Sequence, residues 1–293
     1  MAVSAPKVVL VTGSSEGGIG YALCVEFARR GCIVYASARR LASLSSLLDN
    51  VRKVELDVSR PESCRAVVER IIHEQGRIDI LVNNAGAGYT SAILDADVDS
   101  DEGVKAVFDT NVFAPLRLAK LVAPHMAERR SGLIVNIGSI VGNIPTPWAG
   151  IYAASKAALH SATETLRMEV KGLHIDVMLV APGAITSNFG KKQADSFKLP
   201  EDSLYRDVAD KIAARAQMSQ DSGYSIPASL LAQGVVSRAL RSRPGTYFSA
   251  GGKAFSFWLL ERLPRPLVWF LLSRRLGCDV VGQSKRGEAK KTA

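Results

Sequence analysis

The sequence predicts an α/β protein built on one doubly wound parallel sheet, with helices on both faces and a helical C-terminal extension. Three observations carry this. Short apolar runs of strand length alternate with helical segments from the start of the chain to about Val180. The first such run passes directly into a glycine-rich turn, VLVTGSSEGGIGYAL. No linker or internal repeat interrupts the alternation, so the 293 residues read as one domain.

Each element has its own reason. Residues 7–12 read as a short buried strand, with 8–11 an unbroken apolar run, as burial on both faces requires. Residues 19–30 follow with helical spacing, Leu23, Phe27 and Ala28 sharing one face. Residues 32–36 and 54–56 read as the second and third strands, and 59–75 as a helix with Pro61 near its start. Further strands fall at 78–82, 132–137 and 175–180, separated by helical stretches at 101–127 and 153–171. These residues, 1–186, make the expected core. After Gly183 the pattern loosens. Ligands of open α/β sheets bind beyond the carboxyl ends of the strands, so the polar segment 187–228, with Lys191, Lys192 and Lys198, reads as a substrate loop or lid, or else as a surface insertion.

Composition narrows the function. Hydrophobic residues make up 47% of the chain, enough for a full core, and the net charge is +9. No nucleic-acid motif with interleaved aromatics accompanies that charge, which gathers at the tail, so no nucleic-acid partner is expected. Cys24, Cys32, Cys64 and Cys278 show neither CxxC spacing nor a Cys/His cluster. They read as reduced structural thiols, and no metal site is expected. The opening MAVSAPK lacks the apolar stretch of a secretory signal, which points to a cytoplasmic protein.

The glycines suit a phosphate. Gly13 directly follows the first strand, and Gly17, Gly18 and Gly20 stand where the helix begins. There they permit positive φ and let backbone N–H groups approach a pyrophosphate. The second strand ends in YASARRL. An acidic residue here would bind a ribose 2′-hydroxyl, but Arg39 and Arg40 stand instead, with Ser14 and Ser15 as further donors, so the expected cofactor is NADP(H). Downstream, LVNNAGAGY sits at a strand end, TNVFAP places Asn111 in a helix, and IVNIGSIVG puts Ser139 just past a strand. YAASK sets Tyr152 and Lys156 one helical turn apart, and VAPGAIT closes the set.

In this order, from Val8 to about Thr186, these motifs resemble the short-chain dehydrogenase/reductase family, whose fold is a Rossmann-type sheet. The glycine turn is similar to the family's TGxxxGxG with one residue more. The resemblance implies an oxidoreductase that interconverts a ketone and a secondary alcohol. Tyr152 would be general acid in reduction and base in oxidation. Lys156 would supply charge to that phenol and grip the nicotinamide ribose, Ser139 would hold the substrate oxygen, and Asn111 would hold a water in the proton relay. Around the cofactor it implies Gly13, Ser14, Ser15, Gly18, Ile19 and Gly20 at the phosphates and Arg39 and Arg40 at the ribose. Asp57 and Val58 would meet the adenine, with Asn83, Ala85 and Gly86 along the cofactor and Pro182, Gly183, Ile185 and Thr186 near the carboxamide. The family also forms homodimers and homotetramers through helix faces like those near Asn111 and Tyr152.

Two stretches, VYASARRLASL and GTYFSAGGKAFSFWLLERLPRPLVWFLL, are more loosely similar to the fungal 1-acyl-dihydroxyacetone-phosphate reductases, which reduce a lipid ketone with NADPH at endoplasmic reticulum and lipid droplets. A secondary-metabolite alcohol dehydrogenase or ketoreductase (terpenoid, polyketide or steroid-like) is the alternative, and a cofactor-sensing regulator the non-enzymatic one. The extension 253–293 is hydrophobic and basic. Its apolar stretch, 254–272, is interrupted by Glu261, Arg262, Pro264, Arg265 and Pro266 and is too broken to span a bilayer. With Arg274, Arg275, Lys285, Arg286, Lys290 and Lys291 behind it, it reads either as a membrane-surface anchor or as a cover over the cleft.

Overall fold

The computed structural model describes residues 5–190, 197–218, 223 and 225–282. Lys191, Lys192, Lys285, Arg286, Lys290 and Lys291 lie outside the described residues. Seven parallel strands form the central sheet in the order β3-β2-β1-β4-β5-β6-β9. They are β1 (Val8–Val11), β2 (Ile33–Ala38), β3 (Arg52–Glu55), β4 (Ile80–Asn83), β5 (Gly132–Ile137), β6 (Ile175–Pro182) and β9 (Tyr247–Ala250).

The unbroken apolar runs follow from burial on both faces. In β1, Val9 and Val11 enter one core, while Val8 and Leu10 enter the opposite one. Helices α1 (Ile19–Arg29) and α7 (Ala228–Ala239) cover the first face through Leu23, Phe27, Leu231 and Val235. Helices α2 (Pro61–Gln75) and α4 (Ala114–Glu128) cover the second through Val68, Ile71, Leu118 and Val122. Helix α2 begins with proline in its first turn and ends at Gly76, whose φ of 71° is the left-handed cap that glycine takes most readily.

Three departures from the sequence reading matter for the site. The helix expected over 101–127 is divided: α3 (Val104–Phe108) passes through a π-helical turn, Asp109–Phe113, before α4 begins. Such turns re-aim side chains, and this one carries Asn111. The strand β9 is absent from the sequence reading, which assigns residues 229–252 to no element. It pairs with β6 through Leu179↔Tyr247 and its neighbours. The loosened segment is tied at its ends by a two-stranded pair, β7 (Ile185–Thr186) with β8 (Ile226–Pro227), and carries α6 (Ala209–Gln217). The tail folds into α8 (Ala254–Leu260) and α9 (Arg265–Leu276), separated at Pro264. Among the described residues no helix is long and apolar enough to cross a membrane.

Candidate active site

A cleft of about 670 Å³ opens over the carboxyl ends of the strands. Its first wall is the glycine turn. Gly13 has φ 69°, and a Cβ there would lie 2.7 Å from the Ala85 Cα, so the turn and the loop after β4 press backbone on backbone. Thr12 and Asn84, which the sequence reading passed over, lock this contact. Thr12 Oγ1 accepts from the backbone N–H groups of Asn84 and Ala85, both at 3.0 Å, and the Asn84 amide donates to Thr12 O at 2.8 Å and Gly13 O at 2.9 Å. Gly17, at φ 72°, lies under Asn188, whose amide donates to Glu16 O at 3.0 Å. The segment after β7 is thereby clamped onto the turn.

Of the residues expected around the cofactor, Gly13, Ser15, Gly18, Ile19, Arg39, Asp57, Val58, Ala85, Gly86, Pro182, Gly183 and Ile185 line the cleft. Five expected residues do not. Ser14 is fully buried and its hydroxyl donates to Val11 O at 3.0 Å. Gly20 packs beneath the turn, where a Cβ would meet Gly13 O at 2.5 Å. Arg40 projects outside the cleft wall, and its carbonyl caps the following turn by accepting from Ser43 Oγ at 2.7 Å. Asn83 points into the core and donates to Asn136 Oδ1 at 2.8 Å, leaving Asn84 on the wall in its place. Thr186 pairs with the Ser225 hydroxyl at 2.8 Å.

The catalytic candidates converge at the far end. Ser139 follows β5, and its backbone N–H donates to His160 Nε2 at 3.2 Å. Tyr152 and Lys156 project from α5 (Gly150–Glu169) into the same cleft. The Ser139 hydroxyl hydrogen-bonds Tyr152, which favours the phenolate, but burial dominates and pushes the phenol up to about 12. Burial also pushes Lys156 down to about 8, so it remains an ammonium at neutral pH. Its Nζ donates to Ile137 O at 2.8 Å and stands 5.9 Å from the Tyr152 ring centroid. Arg215 of α6, which the sequence reading did not single out, is a further cation favouring the Tyr152 phenolate. Asn111 is buried, and its amide is committed to the backbone of Ala87 and to Ser155, at 2.8–2.9 Å. Its side chain therefore holds the loop after β4. A Cβ on Gly86 would lie 3.3 Å from Asn111 Oδ1 and 3.7 Å from Lys156 Nζ, which explains a glycine between them.

An apolar stretch of the wall is formed by Ile140, Val141, Phe189, Phe257, Leu260 and Leu272. Helices α8 and α9 supply half of it, so the tail covers the cleft. Their other face stays exposed, with Phe255, Trp258, Trp269 and Phe270 in solvent. Among the described residues no cluster of side chains could hold a metal ion, and the four cysteines are unpaired.

Residues 7–197 match the family model described as short chain dehydrogenase. A short-chain dehydrogenase of Penicillium ochrochloron is 36% identical over 262 residues, covering 88% of this chain and 94% of that one. Among solved structures, a short-chain dehydrogenase from Streptomyces avermitilis aligns with TM-score 0.75 at 29% identity, covering 98% of this chain and 99% of that one. A short-chain dehydrogenase from Sphingobium yanoikuyae, solved with NADPH, aligns with TM-score 0.64 at 27% identity over 82% of this chain and 87% of that one.

Proposed function

The chain belongs to the short-chain dehydrogenase family, and from that premise we propose that it is an NADP(H)-dependent oxidoreductase interconverting a ketone and a secondary alcohol on a hydrophobic substrate. One observation carries this reading: Ser139, Tyr152 and Lys156 share the end of a cleft whose other end is a glycine cradle. The cradle fits the cofactor. A side chain at Gly13 would collide with Ala85, and the N-terminus of α1 has no acidic residue in its first turn to oppose a phosphate. Ser15 and Arg39, both on the wall, suit a 2′-phosphate. The solved NADPH complex in the same family supports that choice. When bound there, NADPH would supply the hydride.

This chain's own residues handle the oxygen and the proton. Ser139 and Tyr152 hydrogen-bond the carbonyl oxygen, and the Tyr152 phenol, protonated at neutral pH, delivers its proton as the alkoxide forms. Lys156 and Arg215 stabilise the phenolate left behind. Segment 187–228 acts as the lid, with Asn188 holding it on the glycine turn. The apolar wall favours a greasy substrate, a lipid ketone such as 1-acyl-dihydroxyacetone phosphate. The same wall suits the secondary-metabolite alternative equally well. The exposed aromatic face of α8 and α9 suits peripheral contact with a membrane or lipid droplet.

The test is NADPH oxidation across a panel of hydrophobic ketones. Tyr152→Phe keeps the ring and loses the proton, so it should bind NADPH nearly as the wild type does and turn over at least ~10²-fold more slowly. Near-normal turnover in that variant would refute the assignment.

A further inference from the structure

The substrate end of the cleft holds more positive charge than carbonyl reduction needs. Arg215 lines the cleft together with Tyr152 and Ser139 and is largely enclosed. Its Nη2 donates to Thr146 Oγ1 at 3.1 Å, while its Nε is buried with no hydrogen-bond partner among the described residues. None of the ion pairs among the described residues includes it. A guanidinium offers five donors in a rigid fork, and burying one without a counter-charge is costly. Arg275 of α9 lines the same cleft. The helices bearing the two arginines meet there, Ile212 and Leu276 packing around Trp148, whose indole donates to Leu276 O at 2.9 Å. The carboxylates on the cleft wall, Glu16 and Asp57, belong to the glycine turn and the end of β3, at the cofactor side.

We propose that Arg215, flanked by Arg275, forms a subsite for an oxyanion, a carboxylate or phosphate, carried by the substrate close to its reacting carbonyl. The substrate is then an amphiphile: its acidic head lies on the arginine fork, its carbonyl between Ser139 and Tyr152, and its tail along Phe257, Leu260 and Leu272. This deepens the oxidoreductase reading and rests on it. It also excludes a class, because an amine near the carbonyl would meet the buried guanidinium with repulsion.

The experiment separates binding from chemistry. Octanoate, octyl phosphate, 1-octanol and octylamine share one tail and differ in the head. Each is titrated calorimetrically into the full chain loaded with NADPH, as wild type, Arg215→Met, Arg215→Lys and, as a surface control, Arg65→Met. The wild type should bind at least one of the two anions at least about tenfold more tightly than the alcohol, the effect of a charge-assisted hydrogen bond. The tighter of the two identifies the head group, and the amine should bind most weakly. Arg215→Met should abolish the preference without changing NADPH affinity, Arg215→Lys should keep part of it, and Arg65→Met all of it. Equal binding of anions and alcohol by the wild type overturns the proposal, as does a preference that survives Arg215→Met. Should Arg215→Met fail to fold by circular dichroism, loss of most of the preference in Arg215→Lys supports the bidentate fork and full retention overturns it. Failure of the oxidoreductase reading itself would show separately, as absent NADPH binding or oxidation with the head-group preference intact.

Discussion

Arg39 is the first residue after β2, exposed to solvent and on the cleft wall together with Ser15. A phosphate dianion there gains two donors and a full charge, whereas a ribose hydroxyl gains little. Arg39→Asp replaces that attraction by repulsion. It should weaken NADPH by more than about tenfold relative to NADH, read by fluorescence titration of both cofactors. Equal affinities in the wild type would remove the basis of the preference. Three of the five expected residues that miss the cleft wall share one pattern, each lying one position from a residue that does reach it: Ser14 beside Ser15, Arg40 beside Arg39, Asn83 beside Asn84. Successive side chains at a strand end face opposite ways. The motif fixes which pair lies at the site; at β4, whose last residue is Asn83, the phase of the pleat decides which member points in, while beyond β1 and β2 the path of the turn does. Arg215 was invisible for a different reason. It lies in the segment where the strand–helix alternation fails, and it belongs to no motif.

Among the elements, the strands of the core were legible because burial on both faces leaves unbroken apolar runs, and 132–137 was read to its ends. The edge strand β9 escaped because its four residues, YFSA, are only partly buried and show no such run. The π-helical turn at Asn111 left no trace in the apolar periodicity either. Helix α5 adds a contact that no motif announced. His160 lies against Gly138 and Gly142, where a Cβ would clash with its ring. Its Nε2 accepts from Ser139 N and its Nδ1 pairs with Asn143 Oδ1 at 2.8 Å. Burial, and then the Lys156 charge, push it down from 6.5 to about 4. Between these values the unfolded chain binds a proton that the folded chain refuses, so this stability is intact above pH 6.5 and is lost as pH falls toward 4. In full it amounts to about 3 kcal/mol. Urea unfolding at pH 7 and pH 5 should therefore show an acid loss that His160→Gln largely removes. An equal loss in the variant would assign the effect to other groups.

The whole molecule turns one face of its tail toward the cleft and the other toward solvent. Phe255 is 75% exposed, Trp258 48%, Trp269 59% and Phe270 55%. Arg262 stacks 3.6 Å over the Trp258 ring and Arg274 lies 5.6 Å from the Phe270 centroid, so cation and aromatic are offered together. Cover for the cleft and contact with a bilayer interface are therefore compatible, each using its own face of α8 and α9. An interface would bury each large side chain for somewhat less than the ~1.5–3 kcal/mol of full burial. Each basic residue near an anionic surface adds about 1 kcal/mol, and salt screens only that part. The full chain should accordingly sediment with anionic vesicles at low salt, release partly as salt rises, and keep a salt-resistant fraction. Deleting the tail would also open the cleft, so the cleaner variant is Trp258→Ser, Trp269→Ser and Phe270→Ser together, which changes only exposed positions. It should lose the salt-resistant fraction while keeping NADPH affinity. A wild-type chain that ignores anionic vesicles at low salt would leave the aromatic face without a lipid role and reduce the tail to a wall of the cleft.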